Sequence, residues 1–526
     1  MARTFDTIIV GGDPDALVAA LRFAQRGQKV LLVEANAELG GVYREIEFAP
    51  GFRAAPLAHD TGHLSLDIVG LLGASPEAEP VSDPAVISLS DNSPLLLRSS
   101  IADTAEGLSA FSQHDSQNWP AFAERMAQLA GFLAELYRVP PPRIDFDTAG
   151  ELFGLAGLGR KFRGLGQSGM IELLRTLPMA LGDLLDDWFE SDRLKGTLAA
   201  LGVMDVCQGP IAGGTAYTFL HRHVGAVPGV FSERLRLKGG TTTLVSMLAD
   251  KARAAGVTLE TNAAASRVIV RDGRVAGLTL ASGEEIGART VVSSLDPYRS
   301  LLRLLDPVHL DPELIHAVRN IRFRGVTTKI LVALEALPPI PGVSAPPTGA
   351  VLIAPSIRQV ERAYDATKYG RGSEEPFIEL RFPTVAEPRL APAGKHVAVV
   401  HVQFTPYGLR EGRWDRIREK IIADRAFAII ERHIPGFTGR VSARTVLSPA
   451  ALESRFGVRE GALSQGELML DQILFMRPVA GVSRYATPIP GYFLCGTGTH
   501  PGPGIVGQSG LLASRAALAA SASRAL

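Results

Sequence analysis

The sequence FDTIIVGGDPDALVAALRFAQRGQKVLLVEANAELGG, at residues 5–41, decides the fold. Asp6–Val10 is a short apolar run rich in β-branched residues, which predicts a buried parallel strand. A glycine turn follows, then apolar residues at helical spacing as far as Gly27, and then a second apolar strand over Lys29–Val33. The stretch is therefore predicted to be a βαβ unit that ends in an acidic residue, Glu34.

This order of elements is the one that a dinucleotide requires. In the motif G-x-G-x-x-G, the helix N-terminus receives the pyrophosphate, and an acid about twenty residues later accepts the ribose hydroxyls. Here Gly11 and Gly12 form the turn, and Glu34 and Ala35 follow the second strand. The glycines alone would be weak evidence, but together with the strand, the helix and the acid they predict a Rossmann-type nucleotide-binding domain.

The motif departs from its usual form at its second glycine, which is Asp13. A carboxylate about 4 Å from a phosphate costs about 4 kcal/mol at an effective dielectric of about 20, which weakens binding about a thousandfold. Two arrangements avoid this cost: Asp13 turns to solvent, or it caps the helix that Pro14 begins. The motif leaves open whether the cofactor is kept, bound weakly or lost.

Length and composition limit the class of protein. A chain of 526 residues is too long for one core, so two closely connected domains are expected. Lys plus Arg and Asp plus Glu balance at 54 each, which gives no electrostatic case for a nucleic-acid partner. No apolar run approaches the length of a membrane span, and the first strand begins too early to leave room for a signal peptide. A cytoplasmic protein is the expectation.

The cysteines and histidines give no sign of a redox or metal centre. Cys207 and Cys495 are far apart, which excludes a disulfide framework and a redox-active dithiol and favours buried apolar packing for both. His59 and His63 have no third ligand nearby in the sequence, so no metal site is predicted.

The middle of the chain divides into a mainly helical part, a part that returns to the first domain, and a part in which strands and helices alternate. Residues 150–185 combine Leu and Phe with basic residues, which favours a helical cap domain, or alternatively a surface that contacts lipid. A turn, a helix and two hairpins at residues 237–292 return the chain to the first domain. Strands mixed with helices at residues 300–480 predict a substrate domain on a largely antiparallel sheet.

The C-terminal stretch GYFLCGTGTHPGPGIVG, residues 491–507, carries the second strong signal. An apolar strand gives way to a glycine-rich loop, and a helix follows whose N-terminus offers free N–H groups to an anionic ligand. The chain contains no second dinucleotide motif, so a separate NAD(P)H domain is not expected.

Together these stretches resemble FAD-dependent oxidoreductases of the phytoene desaturase-like superfamily, and within it the branch named for pyridine nucleotide-disulfide oxidoreductase domain-containing protein 2. The resemblance extends over nearly the whole chain. It is carried by IIVGGDPDALVAA, KVLLVEANAELGG, LLDDWFESDRLKGTLA, LKGGTTTLVSMLADKARAAGVTLET, RTVVSSLDP, GELMLDQILFMRPV and YFLCGTGTHPGPGIVG.

The resemblance implies an α/β fold, with a Rossmann-type FAD-binding domain in three segments and an α+β substrate domain that has a mostly antiparallel sheet and a helical cap. The FAD-binding segments are predicted at residues 1–75, 235–300 and 481–526. The substrate domain is predicted at residues 76–234, which include its helical part, and 301–480.

The resemblance also implies which residues contact FAD. Gly11 and Gly12 would lie at the pyrophosphate, Glu34 at the adenosine ribose, and the backbone of Val268 at adenine. Ile505 and Val506 would lie beside the flavin ring, where the positive end of the final helix stabilises reduced flavin. The remaining predicted cofactor residues are Asp13, Ala35, Gly40, Gly41, Gly496 and Gly504. Besides Asp13, the chain departs from the family pattern at Gln465, where a histidine is expected, and at Pro503, where a glycine is expected.

Two functions stay open at this point. The first is an FAD-dependent desaturase, dehydrogenase or isomerase that takes a hydride from an apolar, isoprenoid-, carotenoid- or lipid-like substrate, with a quinone or oxygen reoxidising the flavin. Alignment over the flavin carries this chemistry rather than a triad of residues. No catalytic acid or base is therefore assigned. His500 and Glu467 are weak candidates for orienting the substrate, and structural roles for both are favoured.

The second function is a flavin-free, non-enzymatic descendant of the fold that binds a lipid or a protein partner. Asp13 and Pro503, which break the cofactor motifs, suggest it. The Rab GDP-dissociation inhibitors, which have a similar fold without flavin, provide a precedent. A homo-oligomer or peripheral contact with a membrane through residues 150–185 is compatible with either function.

Overall fold

The computed structural model describes residues 3–58, 60–73, 76–90, 93–141, 157, 159–230 and 236–522. His59, the predicted domain boundaries at residues 75 and 234, and residues 150–156 of the predicted lipid-contacting region lie outside these ranges. The strands are β1 (Thr7–Val10), β2 (Val30–Val33), β3 (Ile46–Ala49), β4 (Phe52–Ala54), β5 (Val86–Leu89), β6 (Leu95–Leu97), β7 (Thr258–Glu260), β8 (Ala265–Arg271), β9 (Arg274–Leu280), β10 (Glu285–Gly287), β11 (Thr290–Ser293), β12 (Thr327–Leu334), β13 (Ala350–Ile353), β14 (Ile378–Arg381), β15 (His396–Gln403), β16 (Val441–Leu447) and β17 (Tyr492–Leu494). The helices are α1 (Pro14–Ala24), α2 (Leu66–Leu72), α3 (Ile101–Leu108), α4 (Gln113–Leu136), α5 (Gly166–Thr176), α6 (Leu181–Asp186), α7 (Asp192–Val203), α8 (Thr215–His223), α9 (Thr241–Ala254), α10 (Pro297–Leu302), α11 (Pro312–Arg319), α12 (Ile357–Lys368), α13 (Arg416–His433), α14 (Pro449–Phe456) and α15 (Gln508–Ala522).

A parallel sheet with the order β17-β11-β1-β2-β7 forms the centre of the first domain. Every pair in it is parallel, with Thr7 of β1 opposite Val30 of β2 and opposite Thr290 of β11. The strands are wholly buried runs such as TIIV and VLLV because both faces of the sheet are covered. Helices α1, α9 and α15 pack on one face, and the antiparallel sheet β10-β9-β8 packs on the other. The predicted Rossmann-type domain and its two hairpins are confirmed.

A mixed sheet with the order β16-β12-β15-β14-β13-β5-β6 forms the second domain. All of its pairs are antiparallel except β13 with β5. Strands β5 and β6 precede the helical region in the chain, whereas the other five strands follow it. Helix α13 buries Ala426 and Ile430 against this sheet, in the same cluster as Val400 of β15. This is the mostly antiparallel substrate-domain sheet that was predicted.

Helices α3 to α8 form the helical part of the second domain. Helix α4 has an apolar stripe that is buried, with Phe122, Met126 and Leu129 in the same apolar cluster as residues of α7 and α8. Helix α5 differs, because Ile171 and Leu174 on its surface are 58% and 63% exposed. Within the described ranges, no helix combines the length and the apolar character that crossing a bilayer demands.

Candidate active site

The turn after β1 brings the backbone close to the end of β2. Gly11 has a φ of +107°, which an L side chain rarely adopts, and a Cβ there would lie 2.2 Å from Ser294 Oγ. A Cβ on Gly12 would lie 2.7 Å from Leu39 and 3.1 Å from Glu34 Oε2. The two glycines are therefore needed for the chain to turn this tightly beside the acid.

Asp13, at the position of the missing glycine, caps the helix. Its Oδ1 accepts a hydrogen bond from the Ala16 N–H at 2.9 Å, and Pro14 begins α1 in the position where its lack of an N–H costs nothing. Of the two arrangements that the sequence allowed for Asp13, the structure shows the one in which it caps the N-terminus of α1. The carboxyl group thus lies at the N-terminus of α1, and burial raises its pKa.

Glu34 ends β2 and faces the same space. Its carboxylate accepts a hydrogen bond from the Asn36 N–H at 2.8 Å and a second from the Asn36 side chain, which hold it in place. A carboxylate held in this way at the end of the second strand is suited to accept the hydroxyls of a ribose.

The glycine-rich loop before α15 forms the other end of the site. The His63 N–H donates to the Gly504 carbonyl at 2.8 Å, and the Val506 N–H donates to the His63 carbonyl at 3.0 Å. These bonds hold Gly504–Val506 against the segment that follows β4, so the loop has one defined position when the ligand arrives.

A cavity of about 720 Å³ connects the two ends, a volume within the range of cofactor and substrate clefts. It runs past the α1 N-terminus, Glu34 and the Gly504–Val506 loop, and then reaches residues of the helical part and of the seven-stranded sheet. The chain thus offers FAD an acid for the ribose, a helix end for the pyrophosphate and a held loop beside the flavin. These residues fit FAD, with the acids Asp13 and Asp15 as unusual neighbours of a pyrophosphate.

Most of the predicted cofactor residues line this cavity, and three do not. Gly40 lies behind it and donates its N–H to the Gly12 carbonyl at 2.7 Å. Gly496 packs on the loop after β11, where a Cβ would lie 2.6 Å from the Ser294 carbonyl oxygen. Val268 donates its N–H to the Leu304 carbonyl at 2.6 Å, and Ala265 and Ser266 line the cavity in its place. The lining residues among those predicted are Gly11, Gly12, Asp13, Glu34, Ala35, Gly41, Gly504, Ile505 and Val506, and their contacts with FAD remain predictions.

The two candidates for orienting the substrate do not line the cavity. His500 is buried with its Nε2 3.1 Å from the Val139 carbonyl, and burial lowers its pKa to about 3. Glu467 accepts a hydrogen bond from the Cys207 N–H at 3.1 Å and another from Arg324 Nε at 2.9 Å, and burial raises its pKa to about 7. Through these contacts, both side chains join segments of the fold.

A chain of hydrogen bonds that the sequence did not reveal reaches the flavin loop from helix α8. His221 lines the cavity, and its Nε2 lies 2.8 Å from the Pro503 carbonyl, which can only accept, so this nitrogen carries the hydrogen. In the neutral ring, Nδ1 then accepts from the Tyr137 hydroxyl at 2.8 Å. The Tyr137 oxygen in turn lies 3.0 Å from the Tyr217 hydroxyl. His221 thus fixes the loop at Pro503, the residue that replaces a glycine of the family pattern.

A cluster of buried charged groups borders the cavity near these hydrogen bonds. Lys329 on β12 and Asp205 after α7 both line it, and His401 on β15 lies directly opposite Lys329 in the sheet register. Burial disfavours the charge of Asp205, but His401, Lys329 and Arg222 overcome this and hold its pKa well below the usual range. Burial lowers the pKa of His401 to about 4. A sequence pattern could not have shown this cluster, because its members come from distant segments.

Comparison with known proteins agrees with this geometry. Residues 125–518 match the family model of flavin containing amine oxidoreductase, and residues 9–63 match the NAD(P)-binding Rossmann-like domain. Pyridine nucleotide-disulfide oxidoreductase domain-containing protein 2 of Rattus norvegicus is 30% identical over 535 residues, which cover 96% of this chain and 92% of that protein.

Two bacterial relatives extend the comparison. One of the subunits of limonene dehydrogenase from Castellaniella defragrans is 23% identical, and the match covers 94% of this chain and 91% of that protein. Phytoene desaturase (neurosporene-forming) of Cereibacter sphaeroides is 24% identical over 55% of this chain and 54% of its own length.

These matches extend over both domains, so they do not favour the flavin-free alternative. The family models and the residues around the cavity together support FAD as the cofactor. The chain belongs to the flavin containing amine oxidoreductase family and is an FAD-dependent oxidoreductase of the phytoene desaturase-like superfamily.

Proposed function

We propose that this oxidoreductase removes hydrogen from an apolar, isoprenoid- or carotenoid-like substrate. When bound, FAD would supply a two-electron acceptor, so that loss of a hydride from one substrate carbon and of a proton, to water or a base, from the neighbouring carbon would leave a double bond. The protein's part is to align the substrate and to exclude water.

The apolar wall at the flavin-loop end of the cavity carries the proposal. Met204 and Val206 come from the segment after α7, and Leu468 comes from the loop before β17. Met204, Leu468 and Ile505 belong to one buried apolar cluster. Such a wall favours a hydrocarbon, because each Å² of apolar surface removed from water contributes about 25 cal/mol.

The names of the two bacterial relatives support the same substrate class. Limonene and phytoene are terpenoid hydrocarbons without charged groups, and the relatives named for them are a dehydrogenase and a desaturase.

The test is anaerobic reduction of the FAD-loaded protein. Phytoene, limonene and, as a contrast, putrescine are added separately, and the loss of oxidised-flavin absorbance is followed. We expect the hydrocarbons to reduce the flavin and the amine to leave it oxidised. Reduction by putrescine alone would overturn the proposal. Leu468→Gln, which places an amide in the apolar wall, should weaken the binding of the reacting hydrocarbon about tenfold. Leu66→Gln, at an exposed position of α2, should have no effect.

We also propose that α5 contacts a membrane surface, from which an apolar substrate could be drawn. Ile171 and Leu174 lie three residues apart on one face of α5, and both are exposed. Arg160 and Arg163, just before the helix, are exposed as well. Apolar side chains that insert beside basic residues are typical of contact with anionic lipid.

Flotation with vesicles of phosphatidylcholine and phosphatidylserine tests this contact. The full chain should float with these vesicles, and I171S/L174S should lose most of this binding. Val308→Ser, which alters an equally exposed apolar residue elsewhere, is the matched control. Equal binding by all three proteins would exclude α5 as the contact.

A further inference from the structure

Asp13 and Asp15, in the stretch DPDA at residues 13–16, cap two different helices. Asp13 accepts the Ala16 N–H of its own helix α1, whereas Asp15 reaches across to α15. The Asp15 Oδ1 accepts a hydrogen bond from the Gly510 N–H at 3.1 Å, in the first turn of that helix. The contact is close enough that a Cβ on Gly510 would lie 1.9 Å from the Asp15 carbonyl oxygen.

Both helix ends belong to the cofactor cavity. Asp13, Pro14 and Asp15 line it, and Gly504–Val506, just before α15, line it as well. A helix N-terminus normally offers its N–H groups and its positive dipole to the anionic cofactor. Here the chain's own carboxyl groups take these positions, so the pyrophosphate of FAD must bind next to two acids.

The surroundings of the two acids contain acidic groups and neutral donors. Glu34, at the end of β2, acts on Asp13 through its charge, and Asp13 acts in the same way on Asp15. The Cys495 thiol interacts electrostatically with both acids, and the Tyr485 hydroxyl interacts in the same way with Asp15. The Ser294 hydroxyl, which donates to the Val10 carbonyl at 3.2 Å, lies beside Asp13. Burial raises the pKa of Asp13 and of Asp15.

We propose that FAD binds to this site together with a proton that is held by Asp13, so that its affinity falls as the pH rises. A protonated Asp13 keeps one oxygen as the acceptor for the Ala16 N–H and gains an O–H that can donate to a phosphate oxygen. The ionised form would instead place a negative charge against the pyrophosphate.

The sign of the effect follows from linkage. The negative cofactor disfavours the charged form of Asp13, so its pKa is higher with FAD bound than without it. Between these two pKa values, binding takes up one proton, and the dissociation constant of FAD increases about tenfold per pH unit. Below this interval the affinity is constant. The proposal concerns the cofactor and is independent of the substrate class.

Titration of the full chain, stripped of flavin, with FAD tests the proposal. The dissociation constant is measured by the quenching of flavin fluorescence from about pH 5.5 to about pH 8.5, a range in which FAD itself does not titrate. Calorimetry in two buffers with different heats of ionisation counts the protons taken up. We expect a rising dissociation constant and proton uptake. A dissociation constant that is flat over this range, with equal heats in both buffers, would overturn the proposal.

Variants assign the proton to its residue. Asp15 also titrates in this range, because burial and the charge of Asp13 raise its pKa to about 8, so the variants are compared in an Asp15→Asn background. Asp15→Asn alone should keep the pH dependence that Asp13 causes. The double variant D13N/D15N keeps an oxygen that caps α1 but cannot ionise there, so it should bind FAD with the low-pH affinity at every pH. Glu38→Gln, at an exposed acid near the site, should match the unaltered protein. A pH dependence of equal size in Asp15→Asn and in the double variant would refute the assignment to Asp13. If that variant does not fold, the calorimetry on the unaltered chain still decides whether a proton binds.

Discussion

At the dinucleotide end of the cavity, Gly11, Gly12 and Glu34 come from one βαβ unit, whereas at the flavin-loop end His221, Lys329 and Pro503 come from three distant parts of the chain. The first end uses backbone groups, helix ends and one acid. The second uses polar side chains that bind one another or a loop carbonyl. A change at the first end should therefore alter mainly the affinity for FAD, and a change at the second should alter mainly the stability and position of the loop.

Arg477 is the strongest case at the flavin-loop end. It is fully buried, and its guanidinium donates to the carbonyls of Thr497 and Thr499 in the glycine-rich loop and to that of Gln472 in the preceding segment. Arg477→Met would leave several buried carbonyls without a donor, each at about 1–3 kcal/mol. We expect the free energy of unfolding in urea to fall by about 3–5 kcal/mol.

Arg319→Met, at an exposed position on α11, is the matched control and should change the stability by less than about 0.5 kcal/mol. If Arg477→Met were as stable as this control, the hydrogen bonds of Arg477 would not hold the loop, and the contrast between the two ends would fail.

Acid should destabilise the flavin-loop end through two buried histidines. Burial lowers the pKa of His401 to about 4 and that of His500 to about 3, against about 6.5 in the unfolded chain. On acidification, these two histidines therefore bind protons in the unfolded chain at a pH at which they stay neutral in the folded chain. The stability that each histidine contributes is complete above about pH 6.5 and falls on acidification by about 1.4 kcal/mol per pH unit.

Urea unfolding at about pH 7 and about pH 5 measures this loss as the difference between the unaltered chain and a histidine variant, and it should approach about 2 kcal/mol per histidine. The comparison is needed because Glu467, Asp13 and Asp15, whose pKa values are raised, stabilise the folded chain on acidification. His401→Gln and His500→Gln should each remove one share of the pH dependence, whereas exposed His309→Gln should remove none. An unchanged pH dependence in both buried variants would show that these side chains are charged in the folded protein.

Glu34→Gln tests the dinucleotide end. The amide can still accept from Asn36, so the fold should be kept, but the charged hydrogen bond to the ribose would be lost. Since such a bond contributes about 1.5–3 kcal/mol, we expect FAD to bind about ten- to a hundredfold more weakly, with little change in the unfolding midpoint. Glu38→Gln serves as the control. A loss of stability without a loss of FAD affinity would assign Glu34 a structural role.

Tyr137→Phe should have the smallest effect. It removes only the hydroxyl that donates to His221, and one such bond contributes about 1 kcal/mol. We expect a small loss of stability together with a shift of the flavin absorption bands, because His221 then holds the Pro503 carbonyl less firmly. Tyr369→Phe, at an exposed tyrosine, should change neither. A shift of the same size in both variants would show that the hydrogen bond from Tyr137 to His221 does not influence the position of the flavin loop.

The motif-bearing parts of the fold could be predicted because their constraints are local. The strand, the glycine turn, helix α1 and Glu34 follow one another within a single unit, and the hairpins of β8 to β10 are marked by Asp272-Gly273 and Ser282-Gly283. The Gly504–Val506 loop was predicted in the same way, from a strand, glycines and a helix in succession.

The roles of the two candidates for orienting the substrate stay predictions. His500 is adjacent to the flavin loop in the sequence, and Glu467 precedes the last strand predicted for the substrate domain. Proximity along the chain does not decide where a side chain points. Neither residue lines the cavity: His500 Nε2 contacts the Val139 carbonyl, and Glu467 accepts from Cys207 and Arg324, contacts that fit the structural roles that the sequence favoured.

Short-range patterning was sufficient to establish the Rossmann-type domain, the two-domain organisation and the FAD end of the site, because periodicity, glycine turns and a terminal acid act over about thirty residues. Folding in three dimensions was needed to bring His221 to Pro503, to place Lys329 beside Asp205, and to enclose Arg477 between two loops. It also determined that Asp13 caps α1 while Asp15 caps α15, since two residues that are neighbours in the chain can satisfy helices that are hundreds of residues apart.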